Sequence, residues 1–212
     1  MQWDIELFKL INHGWSHPFL DIFFTILVSF KLFKIPLALA VGAVALFGNA
    51  RGRLCVLTIL LGIAIGDGLV NVNLKRAIHR PRPHEALPGT KVREIEGYSK
   101  IKVSSPEIKG QSRGRSMPSS HVTNNMIVAL CLFFFYRSKK AITLVFILPV
   151  MMAFARIYTG SHYPTDVIVG ILLPFLYVLP LIFATLWTYN RVKEKYPKFL
   201  LPEIILGKPF TP

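Results

Sequence analysis

Three short strings carry the residues with chemical potential. The first, KRAIHRPRP, holds Lys75, Arg82 and Pro83. A lysine is a point charge and an arginine a planar fork of donors, so the two together suit an oxyanion such as phosphate. The same charges would also serve to anchor the end of a membrane-crossing helix. The second string, Pro118, Ser119, Ser120 and His121, opens an apolar run. Proline suits the first helical position, and the amides that follow have no partner within the helix, so they can bind an anion. Ser119 and Ser120 add hydroxyl donors, and His121 could protonate a leaving oxygen. The bland alternative is a serine-capped helix with an interfacial histidine. The third string, ARIYTGSHYPTD, contains Arg156, His162 and Asp166. A carboxylate four residues from a histidine can hold one ring nitrogen and leave the other free to attack. A buried ion pair joining two helices is the alternative there. Two histidines, a carboxylate, three cations and a helix N-terminus together could hold a phosphoryl group, attack it and stabilise the transition state. No Asp/Glu cluster suits a catalytic metal and no Cys/His spacing suits zinc, so no cofactor is expected.

These residues need a scaffold, and the composition points to a membrane. Of 212 residues, 52% are hydrophobic and the mean hydropathy is +0.47, which is too apolar for a typical soluble enzyme. The net charge of +14 then suits an anionic lipid headgroup and leaves no place for a nucleic-acid groove. The expected fold is all-α and polytopic, a single membrane domain over 1–212. Six spans are expected at about 19–33, 35–48, 54–75, 118–136, 141–158 and 165–189, with Pro36 in the first turn of the second. The polar segment 76–117 forms a long loop between spans three and four, a length usually tied to function. Trp3, Leu7, Leu10 and Ile11 recur at helical spacing with charges between, which predicts an N-terminal interfacial helix; a frayed lead-in is the alternative. The first residues carry no signal-peptide pattern. Short connectors make neighbouring spans antiparallel, so the three strings fall on one side of the membrane.

With the strings and their placement in view, the chain resembles the type 2 phosphatidic acid phosphatase superfamily. That family's signature is Lys-x6-Arg-Pro, then Pro-Ser-Gly-His, then Ser-Arg-x5-His-x3-Asp. Lys75, Arg82 and Pro83 match the first; Pro118, Ser119 and His121 the second; Arg156, His162 and Asp166 the third. Ser120 replaces the glycine of the second motif and Ala155 the serine of the third. The resemblance implies that His162 is the nucleophile, Asp166 its orienting group and His121 the acid and base. Lys75, Arg82, Arg156, Ser119 and Ser120 would hold the phosphoryl oxygens. It implies a metal-independent phosphatase acting on a phosphorylated membrane lipid, in a bacterial inner membrane, with the site facing the periplasm or exterior. Bacterial members act on lipid A 1-phosphate, undecaprenyl pyrophosphate, phosphatidylglycerol phosphate or phosphatidic acid. Segment 76–117 has ten basic and four acidic residues, which favours a bulky, multiply charged headgroup and hence lipid A 1-phosphate. Lipid phosphotransfer and non-enzymatic lipid-phosphate carriage are the competing functions; no obligate protein partner is expected.

Other residues divide between support and decoy. Asp67, Asn71 and Lys75 form one stripe on the third span. Asp67 and Asn71 are expected to position Lys75, or alternatively to form a polar packing seam. Gly62 and Gly66 suit close helix packing. Cys131 and Arg137 satisfy a Cys-x5-Arg pattern but lie on an apolar helix without curled amides, and Cys55 and Cys131 read as buried thiols. His79 and His84 flank the first string and are candidates for headgroup contact.

Overall fold

The computed structural model describes residues 1–96, 100–108, 114–136 and 139–195, without the side chains of 139–144. Lys109, Arg113, Arg137 and the tail 196–212 lie outside the described residues. The helices in chain order are α1 (Gln2–Lys9), α2 (Pro18–Val28), α3 (Phe30–Phe47), α4 (Ala50–Ile65), α5 (Val72–Ile78), α6 (Pro83–Ala86), α7 (Ser120–Tyr136), α8 (Lys139–Tyr158) and α9 (Pro164–Lys195). A π-turn, Leu10–Gly14, follows α1, and a second, Gly66–Asn71, joins α4 to α5. Segment 76–117 also carries an antiparallel hairpin of β1 (Val92–Glu96) and β2 (Lys100–Ser104), with Ile95 opposite Ile101.

Three helical runs are long and apolar enough to cross a bilayer: Phe30–Phe47, Ala50–Ala86 and Pro164–Lys195. Pro18–Val28, Ser120–Tyr136 and Val145–Tyr158 are apolar but shorter. The expected first span is therefore corrected. Ser29 takes an extended conformation (φ −80, ψ 94) that ends α2 after 11 residues. A helix of that length rises about 17 Å, against about 30 Å of hydrocarbon. The next helix starts earlier than expected, at Phe30, so Pro36 lies inside it and not in its first turn. The α4–α5 run continues to Ile78, past the expected end at Lys75, and stops where His79 turns left-handed (φ 49). Pro81 follows closely, as is common after a helix end. Helix α7 begins at Ser120, so Pro118, joined to Met117 by a cis peptide bond, precedes it and is not the first helical residue. Pro164 opens α9 instead, where its missing N–H leaves no helical bond unmade.

Helix α7 is the hub of the bundle, packed against α4, α8 and α9. Small residues set the spacing. A Cβ at Gly62 would lie 2.9 Å from Ile127 on α7, and one at Gly66 only 2.5 Å from the Tyr177 hydroxyl on α9. At Gly170 it would lie 3.0 Å from the Ser119 carbonyl oxygen, so α9 is seated directly against the start of α7. Val178 and Ile182 of α9 fill the core with Ile127 and Leu130. By contrast α3 has no buried residue, and large apolar side chains of α3, α4 and α9 such as Leu39, Leu60 and Leu176 are exposed. Apolar surface on that scale belongs against lipid.

Segment 76–117 is tied down from within. Arg93 is fully buried and pairs with Asp21, the acidic residue that interrupts the first apolar run. Its guanidinium donates to the Tyr158 and Asn12 carbonyl oxygens at 2.6 and 3.2 Å and to the Ser16 hydroxyl at 2.9 Å. It also lies 4.1 Å from the Tyr158 ring centre. The N-terminal helix is neither a simple surface helix nor a frayed lead-in. Trp3, Leu7 and Leu10 are exposed, as an interfacial stripe should be, but Asp4, Phe8 and Asn12 are fully buried against the bundle.

Removing one partner of a buried pair strands the other charge, at about 3–5 kcal/mol. Asp21→Ala should therefore destabilise the purified protein by about that much. Lys102→Ala, which breaks the exposed pair with Glu96, should change stability by less than about 1 kcal/mol. Thermal unfolding in detergent compares the two; equal effects would remove the structural role given to Arg93.

Candidate active site

The ends of four helices bring the three motif strings together. Lys75 is on α5, near the end of the long α4–α5 run; Ser120 and His121 open α7; Arg156 is near the end of α8; Asp166 sits in the first turn of α9. Direct bonds tie these ends together. The Ser119 backbone N–H donates to the Asp166 carbonyl oxygen at 3.1 Å. Lys75 Nζ donates to Ser120 Oγ at 2.7 Å. His84 Nδ1 lies 3.1 Å from the Gly160 carbonyl oxygen, which joins the first string to the turn carrying His162. That contact engages His84 through Nδ1, while His79 takes up the left-handed turn at the end of α5. Gly160 needs its positive φ of 80, and a Cβ there would strike the Lys91 carbonyl oxygen at 2.5 Å.

His162 is 2% exposed. Its Nδ1 faces Asp166 Oδ2 at 3.6 Å, so the other ring nitrogen is the one left to attack. Burial pushes the ring down to about 3, opposed by Asp166 and reinforced by Arg156 and Arg82. The imidazole is therefore neutral at pH 7, the state a nucleophile requires. Asp166 is fully buried. Its Oδ2 accepts from the Tyr163 N–H at 2.9 Å and from the Ser116 hydroxyl, and its Oδ1 accepts from Arg80 at 2.7 Å.

The phosphate-binding candidates surround the two histidines. His121 and His162 both lie within electrostatic reach of Arg82 and Arg156, and His121 also of Lys75 and Asp67. Arg82 is fixed at the backbone, where its N–H donates to the Glu85 carboxylate at 2.9 Å. Among the described residues, Arg156 Nε, Ser119 Oγ and His162 Nδ1 are buried polar atoms without a hydrogen-bond partner. Of these, Arg156 Nε and Ser119 Oγ are donors that an oxyanion could accept from. Ser119 thus makes no side-chain cap on α7, against the bland reading of that string. The described residues hold no group of three or more metal-ligating acidic, histidine or cysteine side chains.

The polar stripe on the third span works differently from the expectation. Asp67 Oδ1 accepts from Asn71 at 3.0 Å and Oδ2 from Asn124 at 2.7 Å. Asn71 then reaches Ser120 Oγ at 3.3 Å. Asp67 and Asn71 therefore reach Lys75 through Ser120 and not by direct contact. The hydroxyl that stands where the superfamily signature has glycine is the acceptor for Lys75. Arg80, Ser116 and Asp4 were missed by sequence reasoning. Arg80 carried a signal, since it lies inside the first string, two residues before Arg82; Asp4 and Ser116 carried none.

Residues 53–193 match the PAP2 superfamily. The chain belongs to that superfamily. That membership carries the enzyme class read from the motifs, a lipid phosphatase, and the apolar helices make it an integral membrane protein. The chain is 30% identical over 185 residues to the undecaprenyl-diphosphatase BcrC of Bacillus subtilis (strain 168), covering 81% of each protein. Its fold is similar to that in the crystal structure of Aquifex aeolicus LpxE, with a TM-score of 0.59 and 25% identity over 86% of this chain and 93% of that one.

Ser120→Ala removes the acceptor that holds Lys75. With about 1.5–3 kcal/mol for a hydrogen bond to a charged group, it should lower kcat/KM by about tenfold or more. Steady-state kinetics checks this, and an unchanged kcat/KM would mean that Lys75 is held by other means.

Proposed function

We propose that this PAP2 protein hydrolyses a phosphorylated membrane lipid through a phosphohistidine at His162. The observation that carries the reading is the shared surroundings of His121 and His162, which both lie within electrostatic reach of Arg82 and Arg156. One phosphoryl group between them would meet a nucleophile, an acid and three cations at once. In the first step the free nitrogen of His162 attacks phosphorus and the bond to the lipid oxygen breaks, with His121 donating its proton to that oxygen. Asp166 orients His162 and offsets the positive charge on its ring. In the second step water attacks the phosphohistidine while His121 takes a proton from it, and inorganic phosphate leaves. Lys75, Arg82, Arg156 and Ser119 hold the phosphoryl oxygens through both steps, and Ser120, itself bonded by Asn71, holds Lys75.

A polyprenyl diphosphate, undecaprenyl diphosphate, is the leading substrate, supported by the relation to BcrC over most of both chains. The argument for lipid A 1-phosphate came from the positive surplus of segment 76–117. Two of those cations are committed elsewhere, Arg93 to Asp21 and Arg80 to Asp4 and Asp166, so the surplus says less about headgroup charge than the sequence suggests. On this reading the chain sits in a bacterial inner membrane with its site facing the periplasm or exterior. The three cations favour an anionic headgroup at that surface.

Phosphate release from undecaprenyl diphosphate, lipid A 1-phosphate, phosphatidylglycerol phosphate and phosphatidic acid, each in detergent micelles, tests the substrate. Undecaprenyl diphosphate should be turned over fastest, and a clear preference for another lipid reassigns the substrate without touching the mechanism. His162→Ala should lower kcat by at least about a thousandfold. Near-normal turnover by that variant removes the mechanism.

A further inference from the structure

Arg80 lies between Lys75 and Arg82 in the sequence, yet its donors are directed away from a phosphoryl group. One terminal nitrogen donates to Asp166 Oδ1 and to the Thr165 hydroxyl, and the other to Asp4. The guanidinium also sits 4.0 Å from the Tyr163 ring centre. Asp4, on α1, is fully buried. Its remaining contacts are with α9, where it accepts from the Thr165 N–H at 2.9 Å and the Thr165 hydroxyl at 2.8 Å. The Ser116 backbone N–H donates to the Arg80 carbonyl oxygen at 2.9 Å, so the two residues that grip Asp166 from segment 76–117 also hold each other.

We propose that Asp4 and Arg80 act as a positioning pair for the nucleophile: Asp4 on the N-terminal helix holds Arg80 in the orientation from which it locks Asp166 against His162. The proposal rests on the reading of His162 as nucleophile. An ionised carboxylate has about four acceptor positions. Arg80 holds Oδ1 of Asp166, and Ser116 and the Tyr163 N–H hold Oδ2, which fixes the carboxylate with Oδ2 3.6 Å from His162 Nδ1. The carboxylate then cannot turn away from the ring as charge develops on it. The charges matter as much as the geometry. An arginine alone would neutralise Asp166 and weaken its hold on a positively charged ring. Asp4 cancels the charge of Arg80, so the pair supplies donors without removing the field of Asp166. The groups facing His162 are then Asp166 from α9, Arg156 from α8 and Arg82 from the segment before α6.

The test measures kcat, KM and thermal stability of the full chain in detergent, with farnesyl diphosphate as a soluble probe. Arg80→Lys keeps the charge but cannot serve Asp4, Thr165 and Asp166 together. It should lower kcat by about 10–100-fold with KM within about threefold of wild type. Arg80→Gln should lower both kcat and stability, since it strands buried acids. Combining it with Asp4→Asn removes one of the two stranded charges, so stability should recover in part while kcat stays low. Recovery of kcat along with stability would show a purely structural pair and overturn the proposal. So would wild-type kcat in Arg80→Lys, or a raised KM at unchanged kcat, which would make Arg80 a phosphate ligand. His162→Ala runs in parallel: if it retains turnover, the nucleophile assignment has failed, and that outcome is distinct from a failure of the pair.

Discussion

A buried carboxylate at the start of α9 has to be satisfied, and the way Asp166 is satisfied organises everything around it. Its donors come from the loop (Arg80 and Ser116) and from the turn before α9 (the Tyr163 N–H). Its own carbonyl oxygen receives the Ser119 N–H at the start of α7. An unpaired charge in this position would be too unfavourable for the fold to tolerate. The consequence is that His162 meets a carboxylate of fixed orientation, and that α7 and α9 meet at a fixed height. The bond from the Ser119 N–H to the Asp166 carbonyl oxygen then carries Ser119 and His121 toward the turn that holds His162.

The second feature is an excess of positive charge with few acids to absorb it. Lys75, Arg82 and Arg156 are mutually within electrostatic reach, and they repel. Packing keeps them together: Arg82 is pinned through its backbone by Glu85, Lys75 by Ser120, and Arg156 by its place near the end of a core helix. A dianionic phosphoryl group would relieve that repulsion and could accept from Arg156 Nε and Ser119 Oγ, both left without partners. Preorganised charge of this kind favours the transition state because little has to move as the reaction proceeds.

The site was more legible in the sequence than the scaffold. Lys75, Arg82, His121, Arg156, His162 and Asp166 stand out because their types, order and spacing together match one signature. The long helices were readable as continuous apolar runs. What escaped notice depends on tertiary contacts. Asp4 looks like an ordinary polar residue on an amphipathic helix, and only its meeting with Arg80 and Thr165 gives it meaning. Asp21 looked like a blemish in a span, and is the partner of Arg93. The break at Ser29 has no proline or glycine to announce it. The hairpin did leave a trace, since VREIE and KIKVS both alternate; it was hidden by the charge of a segment read only as loop.

The account stands on covalent chemistry at His162, so the most direct measurement is to look for the covalent state. His121 serves both steps, so the wild-type enzyme is the one to use: mixing it with a lipid phosphate, followed by rapid quenching during turnover, should trap the intermediate. Mass spectrometry under alkaline conditions, where phosphohistidine survives, should locate one acid-labile phosphate on His162. A phosphate on any other residue, or lipid turnover with no phosphoenzyme at any time point, would contradict it.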